Sequence, residues 1–187
     1  GTNSGAISGD GTTIITGDVE NTGSISQKSV EVLNGGSLTT NADNLTTTDS
    51  VKNDGSLYLT GGNNANSIIG DGTTTFSNTS SNSGVIANAV VNNGRLTNTG
   101  SISGLITNNS EFTNNGNIAD VINNSTMTNI GSIAGTVQND GDFTNSGTID
   151  GNVTNTSTMT SSGVITGDVT NSGTFENNEQ INNNKVI

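Results

Sequence analysis

From Leu96 onward the apolar residues of this chain fall into three files. The first holds Leu96, Phe112, Met127, Phe143, Met159 and Phe175. The second holds Ile102, Ile118, Ile133, Ile149, Ile165 and Ile181, and the third Ile106, Ile122, Val137, Val153 and Val169. Members of a file stand 16 residues apart, with a single interval of 15 in each, which places one missing residue between Ile122 and Met127. Within a period the steps are 6, 4 and 6. An amphipathic helix would need steps of 3 and 4, and the β-branched second and third files favour strand. The pattern predicts short strands that each point one apolar residue inward.

Polar files travel with the apolar ones. Two residues beyond the first file come Asn98, Asn114, Asn129, Asn145, Ser161 and Asn177; two beyond the third come Asn108, Asn124, Asn139, Asn155 and Asn171. Gly100, Gly116, Gly131, Gly147 and Gly163 form one further line, and Gly104, Gly135, Gly151 and Gly167 another. Asn and Gly tolerate the left-handed backbone of a sharp corner. Stacked Asn side chains can also hydrogen-bond to their copies above and below, as in other stacked parallel strands.

Upstream the period lengthens. "VLNGGSL" (32–38), "VKNDGSL" (51–57) and "VVNNGRL" (90–96) share a corner and put Leu38, Leu57, Phe76 and Leu96 in one file at intervals of 19, 19 and 20. On this reading all four Phe belong to the first file. "IITGDVENTGSI" (14–25) matches "VITGDVTNSGTF" (164–175), while residues 26–31 fit no position of the repeat.

The fold these files predict is all-β: a single-chain parallel β-solenoid of roughly ten coils, each of 16–20 residues, forming a rod on the order of 50 Å long at ~4.8 Å per coil. Residues 1–187 form one solenoid domain, with longer, irregular coils over 1–95 and regular 16-residue coils over 96–181. Over 182–187 the repeat decays, with Glu179 where Gly is expected and Lys185 where an apolar residue is expected. The decay marks either a cap or the cut edge of a longer rod. One coil cannot fold alone, because three buried side chains do not offset the ordering of sixteen residues. Stability must belong to the stack.

Composition alone suggests disorder: 27% hydrophobic residues, 3% aromatics, 26 Gly and a net charge of −12. The absence of Pro points the other way, since Pro has no N–H for a strand ladder. Without Cys or His the chain has no disulfide, no thiolate chemistry and neither of the commonest transition-metal ligands. Four basic residues against 16 acidic ones disfavour nucleic acid and anionic membranes as partners. No apolar run is long enough to span a bilayer as a helix, so direct membrane insertion of this segment is not expected. The first ten residues, "GTNSGAISGD", carry no signal region, so a secreted protein would have lost it or hold it elsewhere.

Candidate chemistry is thin. Asp142, Asp150 and Asp168 fall on different coils and phases, and Lys28, Lys52, Arg95 and Lys185 are isolated, whereas glycoside cleavage needs clustered carboxylates. "GDGTT" at 9–13 and 70–74 offers Asp10 and Asp71 to calcium, but calcium takes six to eight oxygens, and an Asp-Gly turn accounts for both. Thr126 and Thr128 flank Met127, and Thr158 and Thr160 flank Met159, an arrangement that invites an ice-binding reading. Arg95, Glu111, Asp142 and Glu176 break that lattice on alternate coils. The many Asn-x-Ser/Thr triplets, such as Asn78-Thr79-Ser80, follow from composition. No catalytic, cofactor-binding or metal-binding residue is assigned, and no cofactor is expected.

The Φ-T-N-x-G-x-I-x-G-x-V-T-N-S-G pattern, from about residue 14 to 181, resembles passenger domains of bacterial type V secretion proteins, the autotransporter and filamentous-haemagglutinin-like adhesins. The resemblance implies a right-handed parallel β-helix at the bacterial surface, outside the outer membrane, serving adhesion, self-association or biofilm formation. Sixteen residues per coil is short for that family, and no membrane barrel accompanies the repeat. The expectation is therefore a non-catalytic, secreted or surface-displayed adhesin or spacer. Its partners would be copies of itself, side by side or end to end, or a glycan or protein on a host or neighbouring cell. The alternatives are a polysaccharide-processing or glycan-binding β-helix, and a self-polymerising structural fibre.

Overall fold

The computed structural model describes residues 1–178. The second-file Ile181, the departures at Glu179 and Lys185, and the decaying end at 182–187 lie outside the described residues. The chain winds as a β-solenoid of eleven coils, and every strand pairing is parallel. A regular coil runs through three short strands, here Ile106–Asn108 on sheet A, Glu111–Asn114 on sheet C and Asn117–Ile118 on sheet B. Sheets A and B each have 11 strands and sheet C has 8. The first coils lack sheet C: strands Ser24–Val32 and Leu45–Asn53 run on for nine residues each, and a 3-10 turn at Ala42–Asn44 occupies the corner. Residues 26–31, unplaced by the repeat, lie in the first of these long strands; its register against the second shifts between Gln27 and Ser29, where the second carries one extra residue between Thr47 and Ser50.

Two apolar files stack as the spacing predicts. Leu96, Phe112, Met127, Phe143, Met159 and Phe175 pair in register on sheet C, all but Phe175 buried. Ile102, Ile118, Ile133, Ile149 and Ile165 do the same on sheet B, where Ile86 and Ile68 extend the file upstream. The third file departs by one residue. Ile106 pairs with Val121, and Val121 with Val137, so Ile122 points outward and is half-buried. The missing residue therefore lies between Ile118 and Val121, where "IADV" replaces a five-residue connection such as "IAGTV". In a strand a one-residue slip turns every side chain to the other face. With Val121-Ile122 both apolar and Asn123-Asn124 identical, the sequence carried no signal to fix that parity.

The upstream file is divided as well. Leu38 and Leu57 belong to sheet A, in the column that continues through Thr74, Val90 and Ile106. Phe76 occupies the other inward position of that sheet, between Leu59 and Asn92. Leu96 begins the large-residue run on sheet C, preceded by Ser80 and Gly62. So only Phe112, Phe143 and Phe175 share the first file. The same corner chemistry recurs at two different corners, before sheet A at 33–36 and before sheet C at 92–94, and local resemblance cannot tell them apart.

Corner glycines serve close approach. At the corner between sheets C and B, a Cβ on Gly116 would sit 2.1 Å from the Gly100 carbonyl oxygen, and one on Gly147 2.0 Å from that of Gly131. No atom fits there at the inter-coil spacing. Neither residue has a positive φ, so the left-handed backbone expected at these corners is not the reason for Gly. Left-handed backbone occurs instead upstream, at Gly35 (φ 83°) and Asn78 (φ 55°) among others.

Candidate functional site

The two Asn files belong to the interior and are buried, except for the half-buried Asn171 and Asn177 of the last described coil. At the corner between sheets C and B, Asn64, Asn82, Asn98, Asn114, Asn129 and Asn145 form a chain in which each Nδ2 donates to the next Oδ1 at 2.8–2.9 Å, ending on Ser161 Oγ at 3.2 Å. Between sheets A and C a second chain links Asn92, Asn108, Asn123, Asn139, Asn155 and Asn171 at 2.6–2.8 Å. Asn123 takes the place expected of Asn124, which is exposed and donates to Asn109 Oδ1 at 2.9 Å. The remaining amide hydrogens reach backbone carbonyls, as from Asn139 to Gly141 at 2.8 Å. A side chain at 0% exposure with its hydrogen bonds made has nothing left to offer a ligand.

The surface available for recognition is the outer row of each sheet. On sheet C the outward residues Thr97, Thr113, Thr128, Thr144 and Thr160 stand in register on five successive coils. Alternation with the buried Leu, Phe and Met residues fixes their direction. Beside them runs a mixed row: Arg95, Glu111, Thr126, Asp142, Thr158 and Thr174. Arg95 and Glu111 face each other across coils in a two-point ion pair, with Nε and Nη2 at 3.0 and 2.9 Å from the carboxylate oxygens. Three of the charges that interrupt a flat threonine lattice, Arg95, Glu111 and Asp142, thus sit in that flanking row; the fourth, Glu176, follows Thr160 in the central file, which is uncharged from Thr97 to Thr160.

The expected acidic residues do not converge. Asp142 is on the outer face of sheet C, and Asp150 and Asp168 lie on successive coils at the corner before sheet A, two positions out of phase. The Thr166 hydroxyl donates to the Asp150 carbonyl at 3.1 Å, and the Asp168 N–H donates to Asn152 Oδ1 at 2.9 Å. Asp10 and Asp71 are exposed in separate turns, Asp71 donating its N–H to Asp54 Oδ1 at 3.2 Å. Among the described residues no group of three or more acidic side chains is placed to hold a metal ion. Lys28 is exposed, and Lys52 pairs with Asp54 at 2.8 Å. That hydrogen bond raises the Lys52 pKa and lowers that of Asp54. Hydrogen bonds from Thr156 and then Gln138 hold the Asp140 carboxyl below its ordinary value.

Sequence reasoning passed over one exposed feature. Tyr58 is the only Tyr, and it is 41% exposed on the outer face of sheet A. A shallow hollow of about 400 Å³ adjoins it, and shares Asp18 and Ser37 with a second hollow of about 240 Å³ that Tyr58 does not line. The signal was present in the chain, as a single aromatic that falls outside every apolar file. Comparison with known protein families, with curated proteins and with solved structures returned no match.

Proposed function

We propose that this chain is a non-catalytic adhesive rod, secreted or displayed at a bacterial surface, which acts by lying side by side with further copies of itself. The observation that carries the reading is the outer file of sheet C, five uncharged threonines in register from Thr97 to Thr160. A second copy presents the same side chains at the same ~4.8 Å interval, so the two files can mesh along their length. Two rods of net charge −12 repel each other, and an uncharged file is where that repulsion costs least. Each threonine contact is weak, and many in series give avidity between cells that display many rods. The likeness of the repeat to type V secretion passengers supports the placement at the cell surface.

Sedimentation and clumping of displaying cells test this. Weak association should strengthen as salt screens the like charges. The double variant Thr113→Glu/Thr144→Glu, on the exposed face, should remain folded and abolish both effects. A native chain that sediments as a strict monomer and does not clump cells, or a double variant that associates as well as the native chain, overturns the proposal.

A further inference from the structure

In a regular solenoid the departures from the repeat are where selection for something other than folding is recorded. The strongest departures here converge on one corner. Along sheet A the outward file reads Glu20, Thr39, Tyr58 and then Thr75, Val91 and Thr107. Tyr58 breaks a run of small side chains with the one exposed ring among the described residues. Next to it the turns at Gly35-Gly36 and Asp54-Gly55 leave the surface without side chains. Gly35 has φ 83° and open space around it, and a Cβ on Gly55 would meet the Gly36 carbonyl oxygen at 2.4 Å. A ring standing beside a bare floor makes a hollow, and the hollow of about 400 Å³ continues into the one of about 240 Å³ through Asp18 and Ser37.

The polar groups facing this hollow differ in how free they are. Asp54 is committed to Lys52 and to the Asp71 N–H. Asp18 is held from one side only: the Ser37 hydroxyl donates to its Oδ1 at 2.7 Å, which fixes the carboxylate and leaves Oδ2 to accept from a ligand. The Tyr58 hydroxyl has no partner among the described residues. Asn34, exposed in the turn, adds an amide that both donates and accepts.

These features narrow the ligand class. A floor of glycines and hydroxyls offers little to an apolar molecule. The carboxylates disfavour an anion, and no acidic cluster is present to bridge through a metal. A ring face beside a hydroxyl, an amide and a carboxylate oxygen suits a neutral molecule with a flat apolar face and several hydroxyls around its edge, and an organic cation is the competing occupant that the salt test separates. We infer that this groove is a binding site for a neutral saccharide, one ring lying against Tyr58 and its hydroxyls donating to Asp18 and exchanging hydrogen bonds with Ser37 and Asn34. The inference deepens the adhesive reading by naming a ligand class for it, on a different sheet from the threonine file, so either can fail alone.

The chain supplies its own reporter, because it has one Tyr and no Trp. Intrinsic tyrosine fluorescence of the full chain is therefore a signal from Tyr58. Titration with cellotriose, maltotriose and triacetylchitotriose should give a saturable change with at least one, of roughly millimolar affinity, and unmoved by about 0.5 M salt. By calorimetry, Tyr58→Ala and Asp18→Asn should each weaken that binding about tenfold or more, while Tyr58→Phe keeps most of it. Both positions are exposed, and thermal melting checks that each variant folds. No saturable change with any of the three sugars, or binding that survives Tyr58→Ala, overturns the inference. So does a response confined to a cationic chitosan trimer and erased by salt, because it assigns the groove to a cation. Sedimentation of the same variants should be unchanged, which separates this result from any failure of self-association.

Discussion

Asn129 sits in the middle of the buried amide chain and tests the idea that polar side chains hold this interior together. Its Oδ1 accepts from Asn114 at 2.8 Å, and its Nδ2 donates to Asn145 at 2.8 Å and to the carbonyls of Gly131 and Thr148 at 3.2 and 3.4 Å. In Asn129→Ala the Asn145 Oδ1 loses this donor, while the Asn114 Nδ2 keeps the Gly116 and Ser132 carbonyls at 3.2 and 3.3 Å. One acceptor is then stranded outright and one donor partly. At about 1–3 kcal/mol for a stranded group, the loss is roughly 2–4 kcal/mol. That corresponds to a fall of roughly 4–16 °C in melting temperature for a chain of this size. Urea unfolding followed by circular dichroism measures it. Asn129→Asp sharpens the test, because an ionised carboxylate there would face the Asn145 amide oxygen and two carbonyls. Burial and those oxygens raise its pKa above the unfolded value, so the folded state holds the proton more tightly. The variant should be closest to native stability below about pH 4 and should lose ground as pH rises through the raised folded value. An Ala variant within about 0.5 kcal/mol of native, or an Asp variant whose deficit ignores pH, would refute a structural role for the amide chain.

Three further outcomes follow from the same geometry. Gly116→Ala forces a Cβ to 2.1 Å from the Gly100 carbonyl oxygen, so the coils must part, and protease resistance around that corner should be lost. Gly35→Ala meets no atom within 4 Å and should cost only about 1 kcal/mol for its φ of 83°; similar losses at the two sites would show that backbone strain, not close approach, explains Gly116. The Asp140 carboxyl should titrate below the ordinary Asp range by NMR, and Thr156→Val should move it up. A titration unaffected by that substitution would remove the Thr156 hydrogen bond as the cause.

The parts of this fold that the sequence made legible are those in which one residue type recurs at one phase. The isoleucines of sheet B and the alternating Phe and Met of sheet C could be read directly, because the same residue types recur at one phase, which settles even the Val164-Ile165 pair. Where two adjacent residues were equally eligible, as at Val121-Ile122 and Asn123-Asn124, the period survived and the parity was lost. The longer early coils were harder for a different reason. Their extra residues extend sheet B and replace sheet C by a turn at Ala42–Asn44, a change of cross-section that no constant period can describe. The candidate groove was invisible to repeat analysis on principle, since Tyr58 and the Gly35 turn are what remains after the repeat is subtracted.

The amide chains also explain why the interior can change character along the rod without breaking. In the inner column of sheet A nearest sheet C, Asn21 donates to the Thr40 hydroxyl at 2.9 Å, then Leu59 and Phe76 fill the next two places before Asn92 resumes the series. Such an exchange works only if each amide run closes on itself. It does so on both sides: the Thr40 hydroxyl donates to the Asn41 carbonyl at 3.1 Å, and Asn92 Oδ1, with Phe76 beneath it, accepts the Gly94 N–H at 3.2 Å from its own turn. Leu59 and Phe76 then stack on each other and leave no buried polar atom of their own unpaired. An amide placed alone between them would have an apolar neighbour on both sides, with only its own turn to satisfy it. The unit of substitution in this amide column is therefore a run of coils, and a chain with so few apolar residues can bury an interior because most of its buried amides are grouped in files that satisfy one another.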